Sequence, residues 1–206
     1  MRKILFLFVV IVSIGMTGCG SRHMQPIAPE QMNETVNPDK AAIVFFRPSR
    51  FRGGGLNPGI IEVDENEKLS FVAIISNGTK YLHRTTPGRH WYFWSSGSVL
   101  GGLASYILEA NLEAGKIYYV DAFFDPSFAP VTDTSDESFR KKLASCRWVE
   151  NTPAGQIWFN NNLLSLQNKY TLARIRQADE TPKVKVGSSE FDMIIKPEYG
   201  TNTPVQ

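Results

Sequence analysis

Between residues 41 and 124 the chain consists of short apolar runs separated by turn-forming residues, beginning with "AAIVFFR" at Ala41–Arg47. Asn77-Gly78 and Pro87-Gly88 favour tight reversals, because Asn and Gly tolerate positive φ and Pro fixes φ. Runs of this length, rich in β-branched and aromatic residues, are typical of strands, and their regular spacing is typical of a sandwich. The sequence therefore predicts a mainly β fold, an antiparallel immunoglobulin-like or transthyretin-like β-sandwich of about seven strands over residues 41–124.

A different pattern follows over residues 125–178, where we expect a loop, a short strand and a C-terminal α-helix. Pro153 fits the first turn of a helix. Apolar residues then recur three and four positions apart, which places them on one stripe of a helix. This stripe predicts a helix packed on the sandwich, and its members are Phe159, Leu163, Leu166, Tyr170 and Ala173. Residues 179–206 are polar and contain prolines, so we expect a flexible tail there.

The N-terminus has the pattern of an export leader. Arg2 and Lys3 precede the apolar run "ILFLFVVIVSI", which is about half the length that a membrane-spanning helix needs. The run ends in Met16-Thr17-Gly18-Cys19, which resembles the bacterial lipobox although Met16 stands where Leu is commonest. This resemblance implies a lipoprotein signal peptide at residues 1–18, a lipidated Cys19 and a membrane anchor. The residue after the cysteine is Gly20 rather than Asp. This resembles the signal that sorts lipoproteins to the outer membrane, on the side facing the periplasm.

Cysteine usage bears on the same question. An ordinary secreted protein with an incidental Cys19 is the alternative to a lipoprotein. The chain has two cysteines, and the second is Cys146, so Cys19 has only one residue with which it could form an intrachain disulfide. Lipidation explains the position of Cys19 better. Residues 19–40 are then predicted to be the lipidated cysteine and a flexible, proline-bearing tether to the domain.

Charge excludes one class of partner. Arg2 and Lys3 account for the whole formal charge of +2, so the chain without its leader is balanced. A nucleic-acid-binding domain usually carries a strong basic excess. We expect no nucleic-acid partner.

Three short motifs together resemble a known bacterial lipoprotein domain family. They are "VFFRPSRFRGG", the "PGRH" turn and "LEANLEAGKIYYVDA". In these motifs the chain is similar to members of the family called domain of unknown function 2846, over about residues 41–124. The resemblance implies a fold and a cell-envelope setting, and it implies no catalytic residues.

The segment "HWYFW" is the most unusual local composition. On a strand, Trp91 and Phe93 face one way while Tyr92 and Trp94 face the other. One pair enters the core, and the second pair is either covered by the C-terminal helix or exposed to a partner. Tyr92 and Trp94, with Arg50 and Arg52 of the glycine-rich loop "RFRGGG", are the candidate partner surface.

No motif predicts catalysis, a metal or a cofactor. The "RFRGGG" loop lacks the Lys-Ser/Thr that completes a phosphate-binding loop. His83 and His90 flank the Pro-Gly turn on one face, but no third ligand is placed by the sequence. Catalytic elbows and zinc-protease motifs are also missing from the sequence.

The sequence therefore favours a lipid-anchored cell-envelope protein without enzymatic activity, with an interaction or structural role toward an envelope protein or the cell wall. The alternative is an envelope hydrolase that acts on glycan or peptide through strand carboxylates. Its candidate carboxylates are Asp64, Glu109, Asp121 and Asp125.

Overall fold

The computed structural model describes residues 23–51, 57–64, 66, 68–95, 107–122, 128–166 and 194–205. The described part is mainly β, with two α-helices and two short 3-10 helices. The helices are α1 (Glu137–Ala144) and α2 (Pro153–Leu166), and the 3-10 helices are Pro29–Gln31 and Pro197–Tyr199. The strands are β1 (Met24–Pro26), β2 (Ala41–Arg47), β3 (Gly59–Val63), β4 (Leu69–Ile74), β5 (Thr79–Thr85), β6 (Gly88–Ser95), β7 (Ile107–Leu112), β8 (Ile117–Asp121), β9 (Ala129–Pro130), β10 (Arg147–Asn151) and β11 (Ile194–Ile195).

The strands form two sheets, and both sheets are mixed. The first sheet has the order β1-β10-β5-β2-β8-β9, and the second has the order β11-β7-β6-β3-β4. Three neighbouring pairs are parallel, namely β10 with β5, β2 with β8, and β11 with β7. The prediction of a purely antiparallel fold is therefore wrong. Among the described residues, seven strands lie between residues 41 and 124, and four more lie outside that range.

The two sheets face each other through a continuous apolar core. Phe45 of β2 contacts Tyr92 of β6 edge to face, with ring centroids 5.4 Å apart. Ile60 of β3 and Leu108 of β7 are completely buried in the same cluster. Because side chains alternate along a strand, the neighbouring residues point to the outer faces of the sheets, and these faces are covered as well.

One helix covers the outer face of each sheet. Phe139 of α1 packs edge to face on Phe46 and Tyr119, with ring centroids 5.6 and 5.3 Å away, and so covers the first sheet. Asp136 caps α1 by accepting a hydrogen bond from the backbone of Ser138. The eight residues of α1 form about two helical turns.

Helix α2 covers the outer face of the second sheet and begins at Pro153, as predicted. Phe159 is 5% exposed and lies among Trp91, Phe93 and neighbouring β3 residues. The prediction that this helix covers one aromatic pair of β6 is confirmed for Trp91 and Phe93. Leu163 and Leu166 lie in the helix, and Tyr170 and Ala173 lie outside the described residues.

Two predicted hairpin turns instead carry the chain from one sheet to the other. Gly78 has a φ of 72° and Gly88 a φ of 122°, so both residues use the conformational freedom expected of them. However, β4 and β6 belong to the second sheet, whereas β5 between them belongs to the first. The turn at residues 113–116 likewise joins β7 to β8 across the two sheets. Turn chemistry located the reversals but did not determine which strands pair.

Both ends of the described chain pair with strands of the two sheets. Met24 of β1 is 7% exposed and pairs with Asn151 of β10, so residues 24–26 belong to a sheet rather than to a flexible tether. Near the other end, Ile195 of β11 is 1% exposed and pairs with Ala110 of β7. The expectation of a flexible tail is therefore wrong for residues 194–205. Isolated apolar residues in polar segments reach the core at both ends.

Candidate functional site

The predicted partner surface is not assembled as expected. Tyr92 is completely buried between the two sheets, so it cannot meet a partner. The reason is the alternation along β6, which turns Tyr92 toward the first sheet and leaves Trp91 and Phe93 for α2. Trp94 belongs to β6, but its side chain lies outside the described residues, as do Arg52 and Cys19.

Arg50 is half-buried and contacts groups at the end of β2. Its Nη2 atom lies 3.3 Å from Oδ2 of Asp121, and its backbone nitrogen donates to Asn77 at 2.9 Å. Nearby, Arg47 is 3% exposed and donates to the backbone carbonyl of Ile75 at 3.1 Å. Burial raises the pKa of Asp121, and the positive charge of Arg50 opposes that rise. These contacts close one end of the two-sheet body.

A second polar cluster lies between the sheets, and no motif in the sequence predicts it. Glu62 of β3 is 8% exposed, although it follows Ile60 and Ile61 in an apolar strand. We call it, with the four side chains around it, the Glu62 cluster. Its other members are His83 and Thr85 of β5, and His90 and Tyr92 of β6.

Four side chains converge on the Glu62 carboxylate. Tyr92 and Thr85 each donate a hydroxyl hydrogen bond to Oε1 at 2.9 Å. His90 Nδ1 lies 3.0 Å from Oε1, and His83 Nε2 lies 3.2 Å from Oε2. Oε1 therefore has contacts from both sheets and Oε2 has one from the first sheet, so the buried charge is compensated by polar partners.

The His90 ring lies between two groups that accept hydrogen bonds. Its Nε2 lies 2.9 Å from the backbone carbonyl of Thr86, which only accepts hydrogen bonds. Its Nδ1 faces the Glu62 carboxylate, which also only accepts when ionised. With a proton on both ring nitrogens, His90 would form a buried ion pair with Glu62.

The surroundings act in opposite directions on the acidity of Glu62 and Tyr92. Burial would raise the pKa of Glu62, but the hydrogen bonds from His83, His90 and Thr85 outweigh it and hold that pKa well below the usual range. Burial and the nearby Glu62 charge raise the pKa of Tyr92 well above its ordinary value. The carboxylate stays ionised and the phenol stays neutral across the physiological range.

This geometry suits holding the sheets together better than it suits catalysis. Each cluster member is bonded to another member or to backbone, and the side chains of Glu62, His83 and His90 are 10, 13 and 6% exposed. Within the described residues, no group of three His, Cys, Asp or Glu side chains is placed to hold a metal ion. His83 and His90 do lie near each other, but both face a carboxylate directly.

Of the carboxylates considered for hydrolysis, the three that the structure describes do not converge. Glu109 contacts Arg89 at 3.0 Å, and Asp121 contacts Arg50 at 3.3 Å. Asp64 accepts hydrogen bonds from two backbone nitrogens of its own turn, each at 2.9 Å. Asp125 lies outside the described residues. The three described carboxylates thus make three separate sets of contacts.

The chain enters the described domain beside the start of α2. The backbone carbonyl of His23 accepts from the backbone nitrogen of Thr152 at 3.1 Å, and its ring Nδ1 lies 3.3 Å from the carbonyl oxygen of Ala154. The His23 ring also lies 6.4 Å from the Trp158 ring. A Cβ atom on Gly155 would lie only 2.8 Å from the His23 carbonyl oxygen, so this junction needs glycine. The N-terminal segment is therefore fixed against the first turns of the helix.

Comparison with known proteins adds no relative: no protein family, curated protein or solved structure matches this chain. The resemblance of the three short motifs to domain of unknown function 2846 stays a prediction. In the described part of the chain, neither α-helix is long and apolar enough to cross a bilayer.

Proposed function

We propose that this protein is a lipid-anchored component of a bacterial cell envelope, acylated at Cys19 and held at the outer membrane on its periplasmic side. In this proposal it has no enzymatic activity and serves as an interaction or structural module for an envelope protein or the cell wall. The leader-like N-terminus and the position of Cys19 after Met16-Thr17-Gly18 support the address.

The observation that carries the proposal is the burial of the other cysteine. Cys146 is 5% exposed in the cluster beneath α1, and its thiol donates to the backbone carbonyl of Lys142 at 3.3 Å. The Cys146 thiol is thus a buried free thiol that is already packed and hydrogen-bonded within the domain. Lipidation gives Cys19 a role that a disulfide does not.

The same body is proposed to be a β-sandwich, because residues from both sheets share one core. Immunoglobulin-like or transthyretin-like topology stays part of the proposal, with the three parallel strand pairs as departures from the all-antiparallel form of the immunoglobulin fold.

Metabolic labelling with palmitate in the native host tests the anchor. We expect the wild-type chain to incorporate label and to remain with membranes, and Cys19→Ala to lose both properties. Gly20→Asp is the matched control, since it keeps Cys19 and should keep the label while moving the protein toward the inner membrane. Unchanged membrane retention of Cys19→Ala would refute the anchor.

Cross-linking in intact cells, followed by purification of the chain, tests the interaction role. One envelope protein or peptidoglycan fragment recovered reproducibly with wild type, and lost with Cys19→Ala, is the expected result. Turnover of a glycan or peptide substrate by the purified chain would instead favour the hydrolase alternative.

A further inference from the structure

The exposed face of α2 has an unusual composition for a surface helix. The helix "PAGQIWFNNNLLSL" contains no charged residue over its whole length. By contrast, α1 on the opposite outer face has four charged residues in eight, "ESFRKKLA". We define the helix-start surface as the exposed residues of the first turns of α2, which are Pro153, Gln156, Ile157, Asn160 and Asn161.

The helix-start surface also carries a large apolar side chain. Ile157 is 58% exposed, whereas Trp158 and Phe159 beside it pack on the second sheet. Pro153, Ile157 and Asn160 are spaced by four and three positions, so they share one side of the helix. This side combines an exposed isoleucine with neutral amides. Its burial therefore avoids the large free-energy cost of removing a charged group from water.

The short segment between Cys19 and His23 limits the distance between a lipid on Cys19 and the helix-start surface. His23 is fixed against Ala154 and Trp158, as described above. Only three residues, Gly20 to Arg22, separate Cys19 from His23, so the Cα atoms of Cys19 and His23 lie at most about 14 Å apart. Ile157 is three positions from Ala154 and so lies about 5–6 Å from it. A lipid on Cys19 would therefore hold the helix-start surface within a short distance of the bilayer.

From these observations we infer that the helix-start surface lies against the lipid bilayer, with Ile157 inserted among the headgroups and upper acyl chains. The inference rests on the proposed acylation of Cys19 and extends it, because it gives the anchored domain a defined orientation. The second sheet and α2 face the membrane, and α1 on the first sheet faces away from it. An apolar side chain and uncharged amides suit the boundary between headgroups and acyl chains.

Photo-crosslinking in intact cells tests this orientation. The photoreactive residue p-benzoylphenylalanine replaces Ile157 in one variant and Lys141 in a control variant. Lys141 is a matched site because it is exposed on α1, with 75% of its side chain accessible. After irradiation, mass spectrometry of the purified chain measures phospholipid adducts at the two positions, and it measures acylation of the Cys19 peptide in the same sample.

We expect phospholipid adducts at position 157 to be at least about ten-fold more abundant than at position 141, given the exposure of both sites and the short reach of the chain. Equal adduct levels at the two positions in a chain acylated at Cys19 would overturn the orientation and leave the anchor intact. A protein adduct in place of lipid at position 157 would overturn it too, by showing that a protein covers this face. An unmodified Cys19 would overturn the anchor and the orientation together.

Discussion

Replacing Glu62 with glutamine keeps the size of the side chain and removes its charge. In the folded protein, Glu62 accepts hydrogen bonds from Tyr92 and Thr85 and lies within 3.2 Å of ring nitrogens of His83 and His90. Glutamine still has one carbonyl oxygen that accepts hydrogen bonds. Its NH2 group only donates hydrogen bonds, so it cannot accept one from a second imidazole. The variant therefore leaves at least one buried donor without its acceptor.

Two interactions determine the size of the effect. A hydrogen bond to a charged group contributes about 1.5–3 kcal/mol, and two such contacts involve imidazole nitrogens. Removing one partner of a buried ion pair costs about 3–5 kcal/mol. We expect Glu62→Gln to lower the free energy of unfolding by about 3–5 kcal/mol at pH 7. Urea titration of the chain from Gly20, produced without Cys19, measures this value by intrinsic fluorescence.

Glu109→Gln is the matched control, because it removes a carboxylate from a more exposed pair. Arg89 Nε lies 3.0 Å from Glu109 Oε1, with the two side chains 34 and 24% exposed. Pairs of this kind contribute less than about 1 kcal/mol. If Glu62→Gln cost no more than Glu109→Gln, the Glu62 cluster would not hold the two sheets together.

The same urea titrations repeated at lower pH give an independent check. The pKa of Glu62 is lowered in the folded state, so its contribution is fully present above the unfolded carboxyl pKa of about 4.3 and is lost as the pH falls below it. The stability difference between wild type and Glu62→Gln should therefore narrow as the pH falls from about 5 toward 3. A constant difference over this range would contradict the ionised state assigned to Glu62.

Three further predictions concern the covers of the sheets and the chain ends. Phe159→Ala should lower the free energy of unfolding by about 3–5 kcal/mol, measured in urea, while Ile157→Ala should change it by less than about 0.5 kcal/mol because that side chain is exposed. Burial raises the pKa of Cys146, so its thiol should react with a chromogenic disulfide reagent at least about 100-fold more slowly in the folded chain than in denaturant. Ending the chain before Ile194 removes the buried Ile195 and should cost about 2–5 kcal/mol in the same urea titration, whereas a loose tail would cost nothing.

Local structure was largely predictable from the sequence. The strand at Ala41–Arg47 begins and ends where its apolar run does, and α2 begins at Pro153. These features depend on neighbouring residues, which periodicity and turn chemistry report directly. The pairing of strands depends on contacts between distant parts of the chain. For this reason the turns at Asn77-Gly78 and Pro87-Gly88 were located correctly, while the sheet to which each strand belongs was not.

The Glu62 cluster was missed because only one of its signals is local. A glutamate between Ile61 and Val63 in a buried strand is unusual, and this is the one local signal that points to Glu62. In the sequence, His83 and His90 flank the Pro-Gly turn, which predicts that they are neighbours across a hairpin. Their actual relation comes from the two sheets facing each other, with Glu62 between them.

The pairing of the outermost strands affects when the fold can be completed. β1 pairs with β10, which lies more than a hundred residues later in the sequence. β11 pairs with β7, which lies far before it in the sequence. Sheets assembled from such distant segments form slowly, since long loops must close before the contacts can be made. A nascent chain that lacks residues 194–205 also lacks an edge of the second sheet. We therefore expect a nascent chain in which residues 194–205 have not yet been synthesised to be incompletely folded.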